Sequence, residues 1–498
     1  MTPLTPSRSA FLEKARTARM LQVSCEIVAD ADTPVSAFAK LCACAPSFLL
    51  ESAEQNDQAG RYSILGFGAR ATFTATGKTL TITEDGVSRT FEASRDPLDE
   101  LEKWMRPYRV QADSPLPLFH GGAVGHLGYD CIRWFEPTIA PPPKDELGIP
   151  DMFFMITESV VIFDHRQRRV RIVANAFPDT ENPGAAYDSA CGRIEAILEA
   201  LRQPVAFDPI FTETTPPAAP STSNTSREEY HAMVNRAQEY IRAGDIFQIV
   251  LAQRFETGFS GDALDLYRSL RFVNPSPYMF CLRCPGGYEL VGSSPEVHVR
   301  LTGKLVEIRP IAGTRRRGAT PGEDAANAAD LLADPKECAE HLMLVDLARN
   351  DVGRIADYGS VQVSDFMTIE RYSHVMHIVS NVVGALSPGY STYDVMRATF
   401  PAGTVSGAPK VRAMQIINEL EKSKRCSYSG AVGYFGYDGN LNSCIALRTV
   451  LLKDGAAYVQ AGAGVVADST PQGEYEETIN KAMGVIRAIE RARTVVPS

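Results

Sequence analysis

Two stretches of this chain set acidic side chains at helical spacing. Asp334-Pro335, an N-cap residue followed by proline at the first helical position, opens a segment with Glu337 and Glu340 three residues apart. Glu474, Glu477 and Lys481 stand at i, i+3 and i+7 near the other end. These intervals bring side chains to one face of a helix. Two such faces turned together would gather carboxylate oxygens round a hard divalent cation. Mg²⁺ fits that chemistry: it takes oxygen ligands, uses one or two protein carboxylates, and keeps positions for water and a substrate anion. The same spacing is also that of an ordinary solvated helix face.

Anion-binding chemistry is written elsewhere. Pro310–Arg315 (with Gly313 and Thr314), Pro401–Lys410 (with Thr404) and Gln460–Gly464 (with Gly462, Ala463 and Gly464) are rich in glycine and hydroxyls where strands should end. Glycine lets backbone amides approach an anion closely. None of the three is a Walker A or dinucleotide-binding fingerprint, and each also reads as a tight turn. Arg448, expected in a strand, can clamp a carboxylate bidentately. His377, in His374-Val-Met-His-Ile-Val-Ser380, reads as a structural histidine or as one that moves a proton.

These groups need a large scaffold. The chain has 498 residues, enough for two or three domains or one large duplicated body. Residues 207–225, rich in Pro, Ser and Thr, read as a linker between an N-terminal part, 1–206, and a C-terminal part, 226–498. Pro137–Pro150 reads as a long surface loop. The C-terminal part opens on a capping box, Ser226 with Glu229, and its first helix stops at Gly244. Strands are expected at Ile246–Phe255, Gly430–Tyr437, Ile445–Leu452 and Ala457–Val466. Helices are expected at Pro335–Asn350, Lys410–Lys422 and Gly473–Arg493. Strands and helices mix without strict alternation, which favours α+β.

Composition excludes several classes. A formal net charge of −10 argues against a general nucleic-acid binder. No run of 18 apolar residues suggests a membrane span, and the charged first 21 residues hold no signal-peptide core. Ten scattered cysteines, of which Cys281-x-x-Cys284 is half a zinc pattern at most, suit reduced thiols in a cytoplasmic protein.

Taken together, Gly292-Ser-Ser-Pro-Glu296, Ile308-Arg-Pro-Ile-Ala-Gly-Thr314, Glu337-x-x-Glu340-His341, Asp346-Leu-Ala-Arg-Asn-Asp351, Gly403-Thr-Val-Ser-Gly-Ala-Pro-Lys410, Ala446-Leu-Arg448 and Tyr475-Glu-Glu477-Thr-x-x-Lys481 resemble the chorismate-utilising enzymes over about Ser226–Arg491. The resemblance implies an α+β fold, a large duplicated two-sheet sandwich with outer helices and a cleft in the C-terminal part. It implies Mg²⁺ on Glu340 and Glu477, with Glu337 and Glu474 beside them through water. It implies chorismate at Gly313, Thr314, Thr404, Tyr428, Arg448 and the Gly462–Gly464 backbone. Glu296 is similar to the acid that helps the ring hydroxyl leave, and His377 to the group that assists pyruvate elimination; Glu337 and Lys481 join them as catalytic positions. Water-adding relatives carry lysine at the position of Gln248, and aminodeoxychorismate-forming relatives carry a nucleophilic lysine at that of Ala312. The pair found here resembles the anthranilate-forming branch, with the large subunit of an aminodeoxychorismate synthase as the alternative.

In the N-terminal part Leu49-Leu50-Glu51-Ser52 is similar to that branch's tryptophan-sensing motif, with Pro277, Tyr278 and Met279 as its companion; outside the resemblance it reads as a strand end. No cysteine sits in a glycine-rich turn after an apolar strand, as a glutaminase nucleophile requires. The expectation is therefore a separate glutamine amidotransferase small subunit as partner, with chorismate as substrate and tryptophan as inhibitor.

Overall fold

Two stretches of the N-terminal part keep β-branched and aromatic residues well beyond the length of an ordinary strand. In the computed structural model, which describes residues 3–52, 60–110, 119–179, 181–211, 220–372 and 375–493, Tyr62–Thr76 and Met152–Asp164 pair antiparallel, with a register shift between Ala69 and Ala71. A bulge bends the strand that holds it, and the two halves of the pair feed two layers.

In the first layer, Arg169–Ala176 and Leu21–Val28 lie on one side of the pair. Ser47–Glu51 lies on the other and passes the sheet to Tyr278–Cys284, Tyr288–Ser294, Thr449–Lys453, Ala456–Val465 and Gln248–Gly258. In the second layer, Gly122–Leu127 continues through Ala431–Gly436, Leu441–Ile445, Val297–Thr302 and Leu305–Ile308 to Val375–Ala385. That last strand carries Ile311–Arg316 and Gln362–Arg371. All of these pairings are antiparallel. Strands from both sides of residues 207–225 share each layer.

Apolar faces explain the stacking. Phe48, Phe280, Leu290 and Leu451 of the first layer meet Val124, Val432 and Tyr434 of the second in one buried cluster. The outer face of the first layer is covered by Pro34–Leu41, Pro183–Leu201, Ala263–Val273 and Pro471–Ala492 through Phe38, Ile194, Leu266 and Ile486. The outer face of the second is covered by Pro97–Met105, Pro335–Gly353 and Thr392–Thr399 through Leu101, Val345 and Val395, while Arg227–Arg242 and Lys410–Leu420 pack on Gln248–Gly258 through Val234 and Ile416. The result is an α+β sandwich of two sheets between helices. No helix among the described residues is long and apolar enough to cross a membrane.

Several expectations need correction. Ile445–Leu452 is not one strand: Leu441–Ile445 ends, and Thr449–Lys453 begins in the other layer. Arg448 lies at that crossing with φ 49°. Pro310–Arg315 is not a loop but the start of the strand Ile311–Arg316, with Gly313 (φ 69°) in a register shift. Gly462–Gly464 lies inside the strand Ala456–Val465. Of the expected linker, 212–219 falls outside the described residues, while Ser223 and Thr222 pair with Phe255 and Glu256.

Candidate active site

The two carboxylate-bearing helices begin on well-made caps. Asp334 accepts from the amides of Lys336 and Glu337, and Thr470 from that of Gly473; such caps satisfy amide groups that a helix start leaves open. Both helices turn their acids toward one region. Glu340 is held above the usual carboxylate range, first by burial and then by the nearby charges of Glu337 and Glu477, while Lys481 acts the other way. Glu474 is raised by burial first and then by Glu477, and its Oε2 is buried with no hydrogen-bond partner among the described residues. Lys481 bridges Glu477 at 2.6 Å and donates to the Gly462 carbonyl at 3.1 Å. Glu337 meets Arg315 at 3.3 Å. No three His, Cys, Asp or Glu side chains among the described residues are grouped closely enough to share a metal. Mg²⁺ asks for fewer protein ligands than that. Like-charged, half-buried carboxylates and an orphaned acceptor fit a divalent cation, which would offset both costs.

Beside these acids lies an opening in the first layer. Thr449–Lys453 pairs with Ala456–Val465 only as far as Val459, so Gln460–Val465 has strand partners on one edge alone among the described residues. The chain leaves that edge at Arg448. Its guanidinium is buried enough to lose some of its basicity, with Tyr428 and Glu477 acting against that loss. Arg448, half-buried, makes no salt bridge among the described residues, and a cation held there without an ion-pair partner is a site for an anion. Tyr428 is buried. A Cβ at Gly462 would lie 2.7 Å from its hydroxyl, and one at Gly464 would lie 2.7 Å from Gln248 Nε2. These glycines therefore admit close neighbours in a strand and do not form a turn. Gln248 in turn donates to Glu340 Oε1 at 3.3 Å.

The second layer supplies the titratable groups. Gly313 adopts a left-handed backbone that favours glycine, and a Cβ there would sit 3.2 Å from Glu337 Oε2. Its carbonyl accepts from His377 Nδ1 at 2.9 Å, with Thr314 Oγ1 3.0 Å from the same nitrogen. That bond assigns the proton to Nδ1 and leaves Nε2 as an acceptor. Burial, opposed by the Gly313 bond, lowers the His377 pKa, so the ring is neutral at pH 7. Glu296 lies between Tyr288–Ser294 and Val297–Thr302, only 7% exposed. Burial pushes its carboxyl up to about 8, opposed by Thr404 and by the Ile311 amide. Thr404 Oγ1 itself has no formed hydrogen bond among the described residues.

A well-formed cavity lies apart from these acids. It measures about 530 Å³, lies between the layers, and is lined by Glu51, Ser52, Pro277, Tyr278 and Met279. Glu51 and Met279 are directly paired across adjacent strands. Ser63 and Tyr267 donate to the Glu51 carboxylate, and Arg271 approaches it at 3.7 Å. Ser52, Arg300 and Asn381 line the same space, and their Oγ, Nε and Oδ1 are buried without partners among the described residues. Pro295 and Val297, which flank Glu296, form part of its wall. Sequence reasoning missed Arg300 and Asn381, because nothing local marks a polar residue in a strand as facing a cavity.

The family described as chorismate binding enzyme matches residues 45–487, and the chain belongs to it. Within that family the chain is similar over nearly its whole length to anthranilate synthase components. The chain is 46% identical to anthranilate synthase component 1 of Pseudomonas putida over 98% of its own length and 99% of that protein's. The solved anthranilate synthase component I of Streptococcus pneumoniae superposes with a TM-score of 0.74 at 39% identity, covering 92% of this chain and 99% of that one. The menaquinone-specific isochorismate synthase of Escherichia coli shares the fold at 18% identity, with a TM-score of 0.70 over 97% of this chain and 99% of that one.

Proposed function

We propose that this chain is the chorismate-converting subunit of an anthranilate synthase. Ammonia adds at ring carbon two of chorismate with loss of the ring hydroxyl as water, and pyruvate is then eliminated to leave anthranilate. Arg448, Tyr428 and the open-edged Gly462–Gly464 backbone bind the substrate's carboxylates and orient the ring. Glu340 and Glu477, with Glu337 and Glu474 beside them, would hold Mg²⁺, which would supply positive charge against the ring carboxylate. Protonated Glu296 gives its proton to the departing hydroxyl, and neutral His377 accepts one through Nε2 during the elimination.

The observation that carries this reading is the Gln248–Glu340 contact. A neutral amide stands where a lysine would deprotonate water, and Ala312 leaves no nucleophile on the strand Ile311–Arg316. The incoming group must arrive already nucleophilic, as ammonia does. Product analysis with chorismate, Mg²⁺ and ammonium tests the reading: anthranilate supports it, and aminodeoxychorismate would move the chain to the alternative branch. Glutamine is used only when a separate glutamine amidotransferase subunit docks and delivers ammonia internally.

The cavity at Glu51 and Ser52 is the proposed site of feedback by tryptophan. Its size suits a small ligand, and its unpaired polar atoms suit an amino acid's charged ends. A ligand inhibits from there only by preferring an inactive arrangement, and the Glu296 segment shares the cavity wall. Ser52→Phe is expected to raise the half-inhibitory tryptophan concentration by about tenfold or more with chorismate turnover little changed. Wild-type activity indifferent to millimolar tryptophan would remove the proposal.

A further inference from the structure

Arg425 and Glu421 form an ion pair that is almost fully buried, 2% and 7% exposed. All five N–H groups of a guanidinium have acceptors here. Nε and Nη2 hold the two Glu421 oxygens at 2.8 and 2.6 Å, and Nη2 also reaches the Val250 carbonyl at 2.7 Å. Nη1 donates to the Val405 carbonyl at 2.8 Å and to Ser429 Oγ at 3.3 Å. Glu421 in turn accepts from the Ala252 amide at 2.9 Å. The guanidinium also lies over the rings of Tyr129 and Tyr428, 4.6 and 5.6 Å from their centroids.

Each of the three acceptors outside the pair belongs to a segment that presents a substrate-facing group. Val250 is two residues beyond Gln248. Val405 follows Thr404. Ser429 follows Tyr428 in a turn that holds Cys426 and Ser429 at φ 54° and 62°, a conformation costly for residues other than glycine. That turn is tied to the Arg448 crossing, because the Ser429 amide donates to the Ala446 carbonyl and the Ala446 amide to the Gly430 carbonyl.

We propose that the Arg425–Glu421 pair is a positioning device that sets Tyr428, Thr404 and Arg448 in register with one another for chorismate. It rests on the reading of the site as a chorismate site. A plain stabilising pair would need neither three further acceptors on three converging segments nor a strained turn beside Tyr428. A lysine keeps the charge but loses the planar fork, so it can satisfy only part of this set.

The test compares Arg425→Lys with Arg397→Lys. Arg397 makes a similarly buried pair with Asp96, at 3.1 and 3.0 Å, between two helices away from the site. With wild-type chorismate turnover established first, both variants are measured for melting temperature, kcat, chorismate KM and Mg²⁺ half-saturation. Arg425→Lys is expected to lose about 100-fold in kcat/KM, with a raised chorismate KM and little change in Mg²⁺ half-saturation. Arg397→Lys is expected to lose a comparable margin of melting temperature and keep its turnover. If Arg425→Lys does not fold, Glu421→Gln, which keeps the shape and loses the charge, is measured in its place with the same expectation. Activity that tracks folded fraction equally in both sites, or chorismate and Mg²⁺ constants that move together, overturns the proposal. Loss of turnover in the wild type would instead overturn the chorismate reading.

Discussion

Replacing Glu340 or Glu477 by Gln is expected to lower anthranilate formation roughly 10³-fold at saturating Mg²⁺, since a metal's charge stabilisation is worth several kcal/mol. The loss should come without loss of fold. Glu340 is raised by burial and by like charges. A carboxyl with a folded pKa above its unfolded value contributes stability that is fully present below the unfolded pKa and lost as pH rises through the folded one. As pH rises toward neutral, Glu340 therefore costs stability when no cation is present, and Glu340→Gln removes that cost. The metal-free variant should melt no lower than the wild type. Adding Mg²⁺ should raise the wild-type melting temperature, as any ligand of the folded state does, and leave both variants nearly unmoved. Turnover close to normal in both, with an intact Mg²⁺ shift, would show that the cation is held elsewhere.

Glu296→Gln is expected to cost roughly 10²–10⁴-fold in kcat, the usual contribution of a general acid. Its carboxyl, pushed up to about 8 by burial, is protonated at neutral pH and can give the hydroxyl its proton. Activity that depends on it is present below that value and declines as pH rises through it. The variant should lack this alkaline limb as well as the rate. A Glu296→Gln enzyme of near-normal rate, or one whose alkaline limb is unchanged, would take the acid role away from Glu296.

How much of this was legible in the sequence depended on whether the signal was local. The Glu337/Glu340 helix was legible because Asp334-Pro335 caps it and its apolar residues recur; it begins at Pro335 as expected and runs three residues past Asn350, to Gly353. The second acidic helix starts at Pro471, two residues before the expected Gly473, because Thr470 caps it. The branch marks Gln248 and Ala312 could be read only through the family resemblance, which says where relatives carry lysine. What could not be read is anything set by pairing across the chain. Gly313 and Gly462 look like turn glycines in sequence; one bulges a strand, and the other clears space for Tyr428 from a segment 34 residues away in number and adjacent in space. Arg448 looked like a strand residue because the chain is apolar on both sides of it, yet the strands on either side belong to different layers. The Arg425 acceptors lie up to 175 residues away in sequence, so no window of the sequence contains the device they form.

The central claim is tested most directly by incubating the purified chain with chorismate, Mg²⁺ and an ammonium salt, in parallel with glutamine freed of ammonia, and identifying the products. The account predicts fluorescent anthranilate with pyruvate in equal amount from ammonium, none from glutamine by the chain alone, and none from ammonium when Mg²⁺ is chelated. Isochorismate or aminodeoxychorismate as the accumulating product, or chorismate left unchanged with Mg²⁺ and ammonium both present, would contradict it.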